Sequence, residues 1–200
     1  MANVDRTRGF RPVKYQNGSP WNGRTETFVA LSATSAIFIG DLVYATGLSD
    51  SNGVQQVLPF TTTSNNAVSG PIVGVVVGVG FNPLNLNTGA GTYAVTSDTI
   101  NRLVYVVSDP NVIFEVQADS AMDFADVGYY CDVTLSQTGS ITTGMSGMEL
   151  DASSVVTSTD RLLQIIGTAT MVDNEISNDS AKIIVKLNST KHQRGTGAAI

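Results

Sequence analysis

The sequence predicts an all-β protein: an antiparallel barrel or sandwich with little helix and an extended N-terminal arm. Three observations lead there. Val, Ile and Thr supply 58 of 200 residues, and β-branched side chains suit a pleated, half-buried surface. Glu and Lys, the usual solvent-face residues of helices, number only eight. Short apolar runs recur roughly every 8–12 residues, the spacing of a sandwich or barrel, with no fixed internal repeat.

The elements follow in order. In residues 1–25, Gly9, Pro12, Gly18, Pro20 and Gly23 interrupt any period, so the segment reads as an extended arm. Phe10, Val13, Tyr15 and Trp21 are spaced along it as anchors for a surface. The body, 26–190, begins with the runs 26–31, 36–40, 41–47, 54–60 and 71–79. Gly40-Asp41 and Asn52-Gly53 read as turns or bulges. Gly74, Gly78 and Gly80 lack the Lys-Ser/Thr and helix of a phosphate loop, and read as close-packing positions of a buried strand. Residues 61–70 are a polar loop, and 82–101 form a long connection holding one short edge strand at YAVT.

Residues 103–109 and 112–119 read as a hairpin about Asp109-Pro110-Asn111. The stretch 120–128 holds the one expected helical turn, capped by Ser120, and the body is open to being one β domain or two β subdomains, the break then falling near 118–128. Strands follow at 129–135, at 161–172 with a bend at Gly167, and at 181–188, where Lys182, Lys186 and Asn188 share a face. Gly139–Leu150 is expected as loop or hairpin, and 191–200 as a flexible tail.

Charge is segregated along the chain. The total is −6, yet residues 1–24 carry a net +4, 25–160 a net −12, and 161–200 a net +2. An acidic body lacks the continuous basic surface that a phosphate backbone needs, so no nucleic-acid partner is expected. A basic arm suits an acidic protein surface, a neighbouring copy included. MANVDRTRGF has no apolar leader core, and the apolar stretch 71–81 is too short for a helical span, so neither secretion signal nor membrane partner is expected.

The raw material for catalysis is thin. One histidine, His192, lies in the polar tail, a poor place for a residue that a triad must hold between nucleophile and carboxylate. Cys131, in an apolar run, reads as a buried inert thiol, and a single cysteine cannot form an internal disulfide. Gly144-Met145-Ser146-Gly147 lacks the spacing of a nucleophile elbow, and Gly89-Ala90-Gly91 that of a dinucleotide fingerprint. Glu115, Asp119, Asp123, Asp126 and Asp132 cluster in sequence, which leaves calcium binding or carboxylate catalysis open beside the reading of a solvated acidic edge. No catalytic, metal or cofactor-binding residue is assigned, and the chain is not expected to be an enzyme.

Several segments carry a resemblance. RGFRPV with PWNG at 20–23, IGDLV at 39–43, PIVGVVVG at 71–78, VYVVSDPNVIFEVQADS at 104–120, GMSGMELD at 144–151 and DNE at 173–175 are similar to head proteins of tailed bacteriophages. The chain resembles their capsid decoration, or cement, proteins over most of residues 6–188. That resemblance implies a β-rich protein on the outer capsid surface, clamping neighbouring major capsid subunits without catalysis. A homotrimer is favoured over a homodimer, with synthesis in the host cytoplasm. The residues expected to contact the capsid or a neighbouring copy are Arg6, Arg8, Phe10, Arg11, Tyr15 and Trp21, and deleting residues 2–24 is expected to abolish binding without unfolding the body. The alternative is a head-attached or fibre-associated module binding a host-surface glycan through 82–101; a β-sandwich hydrolase using 119–132 is a third.

Overall fold

The structure is a computed structural model, and it describes residues 3–30, 36–60, 70–80, 93–94, 102–135 and 138–193. The protein is nearly all β. Its strands are β1 (Arg11–Tyr15), β2 (Glu26–Ala30), β3 (Ile37–Phe38), β4 (Leu42–Ser49), β5 (Gln55–Pro59), β6 (Ile72–Val79), β7 (Tyr93–Ala94), β8 (Arg102–Val107), β9 (Val112–Gln117), β10 (Tyr130–Thr134), β11 (Glu149–Val156), β12 (Leu163–Thr168) and β13 (Lys182–Leu187). Helix among the described residues is limited to one 3-10 turn, Phe124–Asp126. No helix among them is long and apolar enough to cross a membrane.

Five strands close a barrel in the order β2-β5-β4-β6-β8. Six more form an antiparallel sheet in the order β1-β9-β13-β12-β10-β11, and β3 pairs with β7. Alternation decides the faces. In β8, Val104 and Val106 point into the barrel beside Phe28, Val43, Val57 and Val76, while Leu103 and Tyr105 point out. A second, larger core draws on both assemblies. Leu42, Phe60, Ile72, Val75 and Val107 of the barrel share it with Phe114, Val116, Leu150, Leu163, Ile183 and Val185 of the sheet. The sheet therefore packs its apolar face against the outside of the barrel. Within the barrel, Gly74 lets β6 approach β8 closely: a Cβ there would fall on the Val107 carbonyl oxygen.

Several expectations are corrected. Asp109-Pro110-Asn111 does turn the chain, with Asn111 N donating to Asp109 Oδ1 at 2.9 Å, but it does not make a hairpin. Both edges of β8 are already taken by β2 and β6, so β9 passes to the other sheet and pairs with β1 and β13. The change of sheet thus falls at 108–111 rather than 118–128, and the strands on either side of 118–128 belong to one sheet. The 3-10 turn is capped by Asp123, not Ser120. Asp123 Oδ1 accepts from Ala125 N, and Asp126 Oδ2 from Asp123 N, while Ser120 Oγ donates to Asp119. Residues 191–193 are docked rather than free: Ile72 N donates to the Lys191 carbonyl at 2.9 Å, Gln193 N donates to the Ile72 carbonyl at 2.7 Å, and His192 is fully buried. Residues 194–200 and most of 82–101 lie outside the described residues; within the latter, the expected edge strand is present as β7.

The largest correction concerns the N-terminus. It is not an arm standing off the body: β1 is the edge strand of the six-stranded sheet, paired antiparallel with β9 through Arg11↔Glu115 and Pro12↔Phe114. Phe10 is 3% exposed and meets Phe114 edge to face at 6.5 Å. An isolated apolar anchor gains most by covering the nearest apolar surface, and here that surface is the chain's own core.

Asp41 follows the Gly40 turn and is buried, its Oδ2 accepting from Phe38 N at 2.7 Å and its carboxyl hydrogen-bonded to Ser146. Burial raises its pKa to about 6, against the opposing pull of those two hydrogen bonds. The folded chain therefore keeps the neutral carboxyl to higher pH, while in the unfolded chain it ionises near the ordinary 3.8. Its contribution is fully present below the unfolded value and is lost as pH rises towards 6, about 2–3 kcal/mol in all. Asp41→Asn is expected to be more stable than wild type at pH 8 and to match it near pH 4, read as urea midpoints across that range.

A basic face with a cleft

The outward face of the six-stranded sheet is built by register. Lys14, Ile113 and Lys186 stand in one cross-strand row, Arg11, Glu115 and Ile184 in the next, and Gln117 beside Lys182 in the third. The opposite face carries Phe114, Val116, Ile183 and Val185 into the core. Of the three residues expected on one face, Lys182 and Lys186 share it, whereas Asn188 lies past the end of β13 and is buried, its Nδ2 donating to the Thr159 and Arg161 carbonyls; the topology adds β1 on the far side of β9. The two basic ends of the chain thus meet on one face.

Residues 3–9 continue from β1 and are tied to the end of this sheet. Gln117, buried at 4% exposure, is the hub. Its Oε1 accepts from Arg6 N at 2.9 Å and from Lys182 Nζ at 2.6 Å. Its Nε2 faces Asp5 Oδ1 at 2.8 Å and Glu149 Oε1 at 2.7 Å. Thr7 Oγ1 also donates to Glu149 at 3.0 Å, and Lys182 Nζ donates to the Val4 carbonyl at 3.0 Å. Asn3 Nδ2 donates to the carbonyls of Glu175 and Asp179. None of Gln117, Glu149 or Asn3 was singled out from sequence. The one signal available was the i, i+2 series Ile113, Glu115, Gln117, which marks a polar residue at the end of a strand face. Gln117→Leu is expected to cost about 2 kcal/mol, because it leaves the Arg6 N–H without its acceptor and takes one donor from the buried Glu149 carboxylate; faster proteolytic cleavage within residues 3–9 would check it.

The extended backbone alternates sides. Asp5 and Thr7 face Gln117 and Glu149, whereas Val4, Arg6 and Arg8 line a cleft of about 260 Å³ with Arg11, Glu115, Asp173 and Lys182. Arg11 Nη2 pairs with Glu115 at 3.2 Å, an exposed pair of small energetic weight. Arg6 and Arg8 are exposed, and their guanidinium groups make no hydrogen bond or ion pair among the described residues. Burial lowers the Lys182 pKa; Glu115 and Asp5 oppose the shift, and the like charge of Arg8 adds to it.

The six singled-out residues therefore divide. Arg6, Arg8 and Arg11 come together at the cleft. Phe10 is in the core, Trp21 packs against that core, and Tyr15, likewise packed, donates its hydroxyl to Asn22 Oδ1 at 2.7 Å. Phe10 serves its own fold and offers no surface to a partner.

The acidic residues of 115–132 do not converge. Asp119 Oδ1 accepts from Ala152 N, Asp123 and Asp126 cap the 3-10 turn, and Asp132 is buried against Arg161 Nη1 at 2.7 Å while accepting from Leu162 N. Among the described residues no group of three or more His, Cys, Asp or Glu side chains could hold a metal ion. Cys131 is buried, and burial beside Asp132 pushes its thiol pKa up, so it stays protonated.

No family model matches the chain, and no curated protein or solved structure matches it.

Proposed function

We propose that the protein is a structural component of a tailed-bacteriophage virion: a decoration or cement protein that binds the outer surface of the major capsid shell and clamps neighbouring subunits, without catalysis. The observation that carries this reading is the basic face. Six of the chain's eleven Lys and Arg residues, Arg6, Arg8, Arg11, Lys14, Lys182 and Lys186, gather there on a molecule of net charge −6. Glu115 and Asp173 interrupt the face, which favours a mixed, acidic protein surface over a phosphate backbone. Many copies, each holding the shell weakly, gain through avidity when they close a symmetric ring, and a homotrimer supplies one. Docking uses the assembled face, Arg6 and Arg8 included, in place of a reaching arm.

The test is native mass alone, followed by sedimentation with expanded capsids. A trimer that pellets with shells at fixed stoichiometry is expected, with occupancy falling in Lys14→Gln/Lys186→Gln. A monomer that stays in the supernatant would overturn the reading and favour glycan binding through 82–101.

A further inference from the structure

The cleft has features that a flat basic surface lacks. It is concave, at about 260 Å³, and lies between residues 3–11 and the sheet. Two of its arginines, Arg6 and Arg8, make no side-chain hydrogen bond or ion pair among the described residues, although Glu115 and Asp173 line the same cleft. Lys182 spends its ammonium protons on three oxygens of the fold, Val4 O, Gln117 Oε1 and Ser180 O. It thus supplies fixed positive charge rather than a mobile hook. Arg8 lies close enough to Lys182 to repel it. Like charges held together by the fold relax when an anion enters, and a guanidinium fork matches a carboxylate in two-point geometry.

We propose that this cleft is a receptor for the carboxylates of an extended acidic peptide segment, with Arg6 and Arg8 as the donors that close on them. The identity of the segment's owner rests on the capsid reading above; the cleft itself does not. Carboxylate side chains on an extended strand alternate, so every second acid can face the cleft while the others meet the rim.

The experiment uses the full chain and a fluorescein-labelled hexaglutamate peptide, read by fluorescence anisotropy at physiological ionic strength. Saturable binding is expected. Arg6→Gln/Arg8→Gln should weaken it at least about tenfold, the equivalent of one lost charge-assisted pair. Lys186→Gln, on the same face but outside the cleft, should change it less than about twofold. Both substitutions sit at surface side chains, and unchanged circular dichroism verifies the fold. Absence of saturable binding, or equal weakening by the two variants, would overturn the proposal. Capsid sedimentation of Arg6→Gln/Arg8→Gln is scored separately: loss of peptide with retention of shells leaves the cleft standing and removes this face from docking.

Discussion

A chain lacking residues 2–24 is expected not to fold stably, contrary to what a free arm would allow. The deletion takes Phe10 out of the main core, where a Phe→Ala change alone costs about 3–5 kcal/mol. It strips β1 from β9, leaving the backbone edge of Val112–Gln117 without its ladder. It also removes Asp5, Thr7 and the Arg6 N–H from Gln117, and Asn3 from the turn at 175–179. Against a usual total stability of about 5–15 kcal/mol, these losses together exceed what most domains hold in reserve. Far-UV circular dichroism and urea unfolding decide it. A cooperative transition with the wild-type midpoint would mean that the segment contributes nothing to the fold. Loss of capsid binding on truncation would therefore not report on contact residues, and charge substitutions at Arg6 and Arg8 are the informative variants.

The second large effect is expected where the N-terminal segment crosses the barrel. Phe10 N donates to the Gly40 carbonyl at 2.9 Å, and the two glycines beside that bond both have positive φ, +65° at Gly9 and +96° at Gly40. A Cβ on Gly9 would fall on the Gly40 carbonyl oxygen and on Ser146 Cβ; one on Gly40 would fall on the Arg8 carbonyl oxygen. Each obstacle is backbone or a short, buried side chain, so neither can swing aside. Gly9→Ala and Gly40→Ala are each expected to cost about 2–5 kcal/mol, combining left-handed strain with overpacking. Because the two sites touch, the double variant should cost less than the sum. A loss below about 1 kcal/mol in urea unfolding would show that the crossing relaxes freely.

Much of this was legible locally. Strands β2, β4, β5, β6, β8, β9, β10 and β13 fall on the expected runs because their β-branched and alternating side chains suit a sheet wherever that sheet lies. The bend at Gly167 appears as the register shift between Ile165 and Gly167. The buried Cys131 follows from its apolar neighbours. Partners were not legible. Whether Val112–Gln117 pairs with the preceding strand depends on whether β8 has an edge to spare, and only the closure of the barrel removes it. His192 looks like tail in a polar sequence, yet a parallel bridge to Ile72 buries it.

The candidate site shows the same division. The sequence by itself determined the strand content, the acidic middle and the two basic ends, since these depend on residue type and local spacing. It could not bring those ends together, because residues 6–14 and 182–186 are more than 160 positions apart and are set side by side only once β1 and β13 both pair with β9. The tertiary structure decided that Phe10 is core and Arg6 and Arg8 are surface. Positions 6, 8 and 10 would share one side of a regular extended strand; the positive φ of Gly9, +65°, breaks that alternation, and what each part of the segment lies against settles which side is inside.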